Sequence, residues 1–128
     1  MKILVIEDSP FLRHAIEKLL QKSGHQVTTA ADGKTGLHAA LTALPEMILL
    51  DMMLPGIEGT SVLKELKRNP LTADVPVVVL SSLSQKNEEA LKKVGASAYL
   101  EKSALNLDKN ADLLIQVVDR AAGKVPTV

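Results

Sequence analysis

Five short apolar segments alternate with longer segments in which apolar residues recur at helical spacing, and this alternation limits the folds open to the chain. The apolar segments, which we interpret as β-strands, are residues 2–6, 26–30, 47–50, 75–80 and 98–100. The segments between and after them are interpreted as α-helices, the last two over about 85–94 and about 108–122. Strands joined by helices pair in parallel through right-handed crossovers. The sequence therefore predicts an α/β fold, a doubly wound sheet with helices on both faces.

Capping signals mark the ends of the first two helices. Ser9 is expected to be the N-cap of the first helix, with Pro10 in its first turn. Gly24 is expected to end that helix, and Asp32-Gly33 to begin the second. These signals fix the loops that follow the first two strands.

Composition narrows the class of protein. The chain has 128 residues, of which 46% are apolar and 23% charged, so a single ordered domain is expected. Residues 1–122 are interpreted as the domain and residues 123–128 as a tail or the start of a linker. Basic and acidic residues number 15 each, so no global charge favours nucleic acid. Cysteine is absent and no apolar run approaches the length of a membrane span, so we expect a soluble cytoplasmic protein with no membrane partner.

Polar side chains follow four of the predicted strands and should meet at one edge of the sheet, because parallel strands have their carboxyl ends together. They are Glu7, Asp8, Asp51, Ser81 and Lys102. Three carboxylates without a histidine or cysteine suit Mg²⁺ better than zinc, and a lysine with a hydroxyl suits a phosphoryl group. Taken singly, each residue also fits an ordinary role: the acids as helix caps, Ser81 as a strand end and Lys102 as a solvated surface residue.

Several local strings, in this order, resemble the receiver domain of two-component response regulators over essentially the whole chain. They are residues 3–8 (ILVIED), 31–33 (ADG), 51–56 (DMMLPG) with Gly59, and 95–96 (GA) before 99–102 (YLEK). Each string alone is weak evidence, but the ordered set is highly specific. The resemblance implies a flavodoxin-like (βα)5 fold with strand order 2-1-3-4-5.

The resemblance also implies a role for each site residue. Asp51 would be the phospho-acceptor, and Lys102 with Ser81 would bind the phosphoryl oxygens. Tyr99 would be the switch residue that reshapes helix four, strand five and helix five. The implied cofactor is Mg²⁺, with Mn²⁺ as a substitute, and its ligands would be Glu7, Asp8, Asp51 and the backbone carbonyl of Met53.

The implied activity is that of a signalling domain and not of an enzyme, beyond the reactions of its own phosphoryl group. The phosphoryl donor would be a histidine kinase or a histidine phosphotransfer protein. A downstream protein, or a second copy in a homodimer, would bind the surface formed by helix four, strand five and helix five. Helix five is dense in apolar residues, and Ile115 is expected to stay partly exposed on that surface.

Three positions depart from the family's usual residues. The first acid is Glu7, where Asp is also common, and this variant is tolerated. Ser81 stands where threonine is commoner, which keeps the hydroxyl. Ser103 stands where proline usually follows the lysine, so the Lys102–Ser103 peptide is expected to be trans. The resemblance also implies that Met53 and Leu83, two residues beyond Asp51 and Ser81, flank the path of attacking water. Neither side chain can orient a water by hydrogen bonding, so slow hydrolysis of the phosphorylated form is expected.

Two other classes of protein share part of this pattern. A phosphohydrolase of the haloacid-dehalogenase type also uses an Asp nucleophile with Mg²⁺. It needs a second Asp two residues later on the first strand, whereas this chain has Met53 on the third. A flavodoxin-like cofactor binder needs a phosphate-binding loop after the first strand, but residues 7–10 (EDSP) are acidic there.

Overall fold

A computed structural model of the chain describes residues 1–54, 56, 58–81, 92–102 and 111–123. Its five strands form one parallel sheet in the order β2-β1-β3-β4-β5, which confirms the predicted fold and strand order. The strands are β1 Lys2–Ile6, β2 Gln26–Ala30, β3 Met47–Asp51, β4 Val77–Ser81 and β5 Ala98–Glu101. Strand β4 begins two residues later than predicted because Pro76 has no N–H to donate to the ladder.

The helices agree with the predicted segments wherever the structure describes them. They are α1 Pro10–Lys22, α2 Gly33–Ala43, α3 Gly59–Arg68, α4 at residues 92–94 and α5 Ala111–Ala121. The remainder of the two last predicted helices, residues 85–91 and 108–110, lies outside the described residues. Among the described residues, none of the helices combines the length and hydropathy needed to cross a lipid bilayer.

Both predicted N-caps form the expected hydrogen bonds. Leu12 N–H donates to the Ser9 hydroxyl at 3.3 Å, and Thr35 N–H donates to Asp32 Oδ1 at 2.7 Å. Gly24 follows the end of α1 with a left-handed φ of 93°, which glycine adopts without strain. The capping hydrogen bonds at the starts of α1 and α2 therefore hold the loops that follow β1 and β2.

Two separate hydrophobic clusters cover the two faces of the sheet. Alternate side chains of each strand point to opposite faces, so Leu4, Ile48 and Leu50 pack on one side, and Ile3, Val5 and Leu49 on the other. The first cluster is completed by α2 and α3 through Ala40, Val62, Leu63 and Leu66. The second is completed by α1 and α5 through Ile16, Leu20, Leu114 and Val118. Burial on both faces leaves the strand ends as the accessible part of the sheet.

Helix α3 begins unusually close to the end of β3. A Cβ on Gly59 would lie 2.5 Å from Met52 Cα and 2.6 Å from the Asp51 carbonyl oxygen, so only glycine fits there. The Gly59 N–H donates to the Met52 carbonyl at 3.2 Å. The start of α3 thereby supports the segment that connects Asp51 to Met53.

Candidate functional site

The sheet register places the predicted site residues on neighbouring strands at one edge. Ile6 pairs with Leu50, so Glu7 and Asp51, the residues that follow them, are neighbours across β1 and β3. On the other side Asp51 pairs with Leu80, and Ser81 is the last residue of β4. Glu7, Asp51 and Ser81 are fully buried, whereas Asp8 is exposed.

The three acids form a cluster. One carboxylate oxygen from each of Glu7, Asp8 and Asp51 lies within 4.8 Å of the other two. The cluster arises because β1 and β3 are adjacent in the sheet although the residues are far apart in sequence. Like charges this close repel one another unless a proton or a cation intervenes.

Lys102 supplies a cation to this cluster. Its Nζ lies 2.8 Å and 3.2 Å from the two carboxylate oxygens of Glu7, and 2.9 Å from Asp51 Oδ2. The ammonium is therefore shared between the first and third strands. The sequence predicted the proximity to Asp51, whereas the pair with Glu7 emerges only from the structure.

The two oxygens of Asp51 have different surroundings. Oδ1 accepts a hydrogen bond from the Met53 backbone N–H at 3.0 Å. Oδ2 is buried and accepts no well-directed hydrogen bond from the described residues, although the Lys102 ammonium is close. This buried oxygen lacks a full set of hydrogen-bond partners and lies beside two further carboxylates. A divalent cation bound there would supply the missing partner. The all-oxygen donor set fits Mg²⁺, which prefers few carboxylates.

The pKa values of the ionisable groups in the cluster are shifted in different directions. Burial, together with the neighbouring Asp51 carboxylate, raises the pKa of Glu7 to about 8 against the opposing effect of Lys102. Burial also raises the pKa of Asp51, but the close approach of Glu7, the hydrogen bond from Met53 and the Lys102 ammonium outweigh it and the net pKa is lowered. Burial lowers the pKa of Lys102, but its two carboxylate partners outweigh burial and the net pKa is raised. Without a metal ion, these shifts favour a proton on Glu7 and charge on Asp51 and Lys102.

This proton makes the binding of a divalent cation dependent on pH. Because Glu7 must lose its proton to act as a ligand, the apparent affinity for Mg²⁺ is expected to rise between pH about 6 and about 8 and to level off above that. Titrations with Mg²⁺ at several pH values, followed by calorimetry, test this.

Glu7→Gln provides the control, because its amide cannot titrate. That variant is expected to bind Mg²⁺ more weakly but with almost no pH dependence over the same interval. Parallel pH profiles for the native protein and the variant would show that the proton is not on Glu7.

Ser81 and Tyr99 lie on one face of the sheet. Tyr99 pairs with Val79 in the register of β4 and β5, and Ser81 is two residues further along β4. Side chains two residues apart on a strand share a face. Tyr99 is half-buried and packs against the cluster that contains Val77 and Val79. The shared face therefore links Ser81, at the edge that carries Asp51, to Tyr99 on the outer strand β5.

The sequence reasoning missed Arg13. Its Nη1 donates to the backbone carbonyl of Glu7 at 3.0 Å and to that of Asp8 at 3.3 Å. The one signal was its position near the start of α1, where a cation opposes the helix dipole, and this does not identify a partner. In the structure, the carbonyls at the end of β1 are that partner.

Comparison with known proteins agrees with this architecture. The family model of the response regulator receiver domain matches residues 3–113. Protein PilH of Pseudomonas aeruginosa is 31% identical over 102 residues, which cover 79% of this chain and 84% of PilH. Three longer curated relatives are matched over only 42%, 15% and 50% of their own lengths.

Solved structures are similar over almost the whole chain. The chemotaxis response regulator CheY4 of Vibrio cholerae has a TM-score of 0.85 at 28% identity, covering 94% of this chain and 97% of that one. The receiver domain of a sensor histidine kinase from Pseudomonas aeruginosa, solved with a magnesium ion in its active-site cleft, has a TM-score of 0.81. Its identity is 29%, covering 95% of this chain and 97% of that one. This chain therefore belongs to the response regulator receiver domain family of two-component systems.

Proposed function

We propose that this domain accepts a phosphoryl group on Asp51 from a histidine kinase or a histidine phosphotransfer protein, with Mg²⁺ as cofactor. The observation that supports this most strongly is the placement of Asp51. Its buried carboxylate lies between an acidic pair and the Lys102 ammonium, at the carboxyl edge of the sheet beside the exposed Asp8. A charged carboxylate there is a competent nucleophile toward phosphorus.

The residues present account for the chemistry. The metal ion, held by Glu7, Asp8, Asp51 and the Met53 carbonyl oxygen, would neutralise charge on the phosphoryl oxygens. A carboxylate oxygen of Asp51 forms the new bond to phosphorus. The bond from phosphorus to the donor histidine nitrogen breaks, and that nitrogen keeps the electron pair.

Lys102 and Ser81 bind the transferred group. Lys102 exchanges its carboxylate partners for a phosphoryl oxygen, and the Ser81 hydroxyl donates a hydrogen bond to another. Both residues lie at the carboxyl ends of β5 and β4, on the side of Asp51 opposite to β1. Two donors and a cation then compensate the added charge of about −1.5 to −2.

Incubation with acetyl phosphate tests the proposal without a partner protein. We expect the intact mass to increase by one phosphoryl group per chain when Mg²⁺ is present, and no increase in EDTA. Continuous release of phosphate from a phosphomonoester, without a labelled protein, would instead favour the haloacid-dehalogenase type of phosphohydrolase.

The switch surface is proposed to be the groove between α4, β5 and α5. The groove encloses about 300 Å³ and is lined by Lys92, Ser97, Ala98, Tyr99, Val117, Arg120 and Ala121. Movement of Ser81 toward a phosphoryl group would release space beside Tyr99, whose rotation would reshape the groove. A downstream protein or a second copy of the chain would bind there.

The structure changes which residue of α5 represents this surface. Ile115 is half-buried, as the sequence predicted, but the described residues of α5 that line the groove are Val117, Arg120 and Ala121. Ile115 and Val117 are two positions apart and therefore point about 200° apart around the helix. Ile115 lies on the opposite flank, so Val117 replaces it in the proposed surface.

Beryllofluoride, a mimic of the phosphoryl group, tests this assignment by NMR. With Mg²⁺ present it is expected to shift the amide resonances of residues 98–101 and Val117 more than that of Ile115, because only the former adjoin Tyr99. Asp51→Asn serves as the control and should show no such change. Shifts that are as large at Ile115 as at Val117 would contradict the proposed surface.

Other parts of the proposal extend beyond the described residues. We propose that residues 1–122 form the receiver domain, that residues 123–128 are a tail or linker, and that the domain acts in the cytoplasm.

Met53 exposes 58% of its surface beside Asp51, consistent with a shield against water, whereas Leu83 lies outside the described residues. The Lys102–Ser103 peptide, expected to be trans, also lies outside them because of Ser103.

A further inference from the structure

Arg13 reaches from α1 to the chain segment that carries two of the three acids. The same Nη1 donates to the carbonyls of Glu7 at 3.0 Å and Asp8 at 3.3 Å, and the side chain is half-buried. Two consecutive carbonyls are thereby held by one cationic donor. Such charge-assisted hydrogen bonds are roughly twice as strong as neutral ones.

The remaining contacts of this segment leave its backbone little freedom. The Glu7 N–H donates to the Ala30 carbonyl at 3.0 Å, and Ser9 caps α1 through Leu12. Between these points, and among the described residues, the carbonyls of Glu7 and Asp8 are bound by the Arg13 side chain and not by the backbone of the sheet or of α1. Arg13 thereby completes the restraint on the segment.

Lys102 and Arg13 bind different oxygen atoms of the acidic residues. Lys102 contacts the carboxylate oxygens of Glu7 and Asp51, so it competes with a metal ion for them. The hydrogen bonds of Arg13 to this segment go to carbonyl oxygens. Arg13 therefore contributes positive charge and a fixed geometry while leaving the metal-binding oxygens available.

We propose that Arg13 is a positioning residue that holds the carboxylates of Glu7 and Asp8 ready for the divalent cation. The inference rests on the proposed function, because it assumes that these acids bind the metal. Partners that orient metal ligands typically contribute about 10- to 100-fold to affinity. Arg13→Met, which keeps the length and removes every donor, is expected to weaken divalent cation binding about tenfold.

Mn²⁺ binding followed by electron paramagnetic resonance of the free ion measures this without any phosphorylation. The thermal unfolding temperature is measured on the same metal-free samples. Arg13→Lys keeps a cationic donor and is expected to recover most of the lost affinity. Arg68→Met, an exposed residue paired only with Glu65 among the described side chains, is the matched control and should bind Mn²⁺ as the native protein does.

The outcomes separate the two proposals. Native protein that binds no Mn²⁺ would overturn the proposed function and this inference with it. Native affinity in Arg13→Met, even with a lower unfolding temperature, would show that Arg13 serves stability alone. An Arg13→Lys variant as weak as Arg13→Met would show that the cationic donor is not what matters. If Arg13→Met does not fold, Arg13→Gln takes its place under the same criteria.

Discussion

Replacing Asp51 by Asn is expected to abolish phosphorylation of the domain. The amide has the shape of the carboxylate but lacks a nucleophilic oxygen, and the bond from the Met53 N–H to the side-chain oxygen can be retained. The variant also removes one negative charge from a buried acidic pair, so the metal-free protein should remain folded. Intact mass after incubation with acetyl phosphate and Mg²⁺ gives the result directly.

Asp32→Asn is the matched control for this experiment. Asp32 also follows a strand at the same edge of the sheet, but its carboxylate caps α2 through Thr35, and Asn is an equally good cap. This variant should be phosphorylated like the native protein. Full labelling of Asp51→Asn would mean that another residue accepts the phosphoryl group.

Replacing Lys102 by Met is expected to change two properties in opposite directions. The rate of phosphorylation by acetyl phosphate should fall about 10²- to 10³-fold, because a donor to the phosphoryl oxygens is lost. The affinity for Mg²⁺ should rise, because the ammonium no longer competes for the oxygens of Glu7 and Asp51. A variant that was merely misfolded would lose both properties together.

Initial labelling rates and Mg²⁺ titrations on the same samples test this pair of effects. Lys64→Met, on the exposed face of α3, is the control and should leave both unchanged. If Lys102→Met binds Mg²⁺ more weakly than the native protein, the ammonium supports the metal site instead of competing with it, and the proposed exchange of partners is wrong.

Much of the fold was predictable because it depends on local signals. Strands β1 and β2 have the predicted bounds, since β1 ends directly before Glu7 and β2 ends shortly before Asp32, the cap of α2. The ends of other strands depend on pairing with neighbours. Asp51 and Glu101 belong to β3 and β5 because each pairs with β4, and that pairing is invisible in a single apolar run.

The sequence predicted which residues lie at the strand ends of the site, but not which side chains contact one another there. Parallel strands bring Glu7, Asp51 and Lys102 to one edge whatever their side chains do. The bond between Lys102 and Glu7 joins residues 95 positions apart, and it depends on how far a flexible side chain reaches past the ends of the two intervening strands, β4 and β3. Arg13 was missed for a related reason, since its partners are backbone carbonyls, which every residue has.

The position of Asp51 at the end of β3 has a mechanical consequence. All five residues of β3 are buried, and strands pair with it on both sides, whereas β5 is an outer strand with only Leu100 buried. A phosphoryl group on Asp51, as proposed, would add charge to a strand that is packed on both faces and paired on both sides, with little room to move. We expect the displacement to appear at β5, which is paired on one side only and is partly exposed. A fixed centre and a freer margin would thus convert a local charge into a change of shape at a distance.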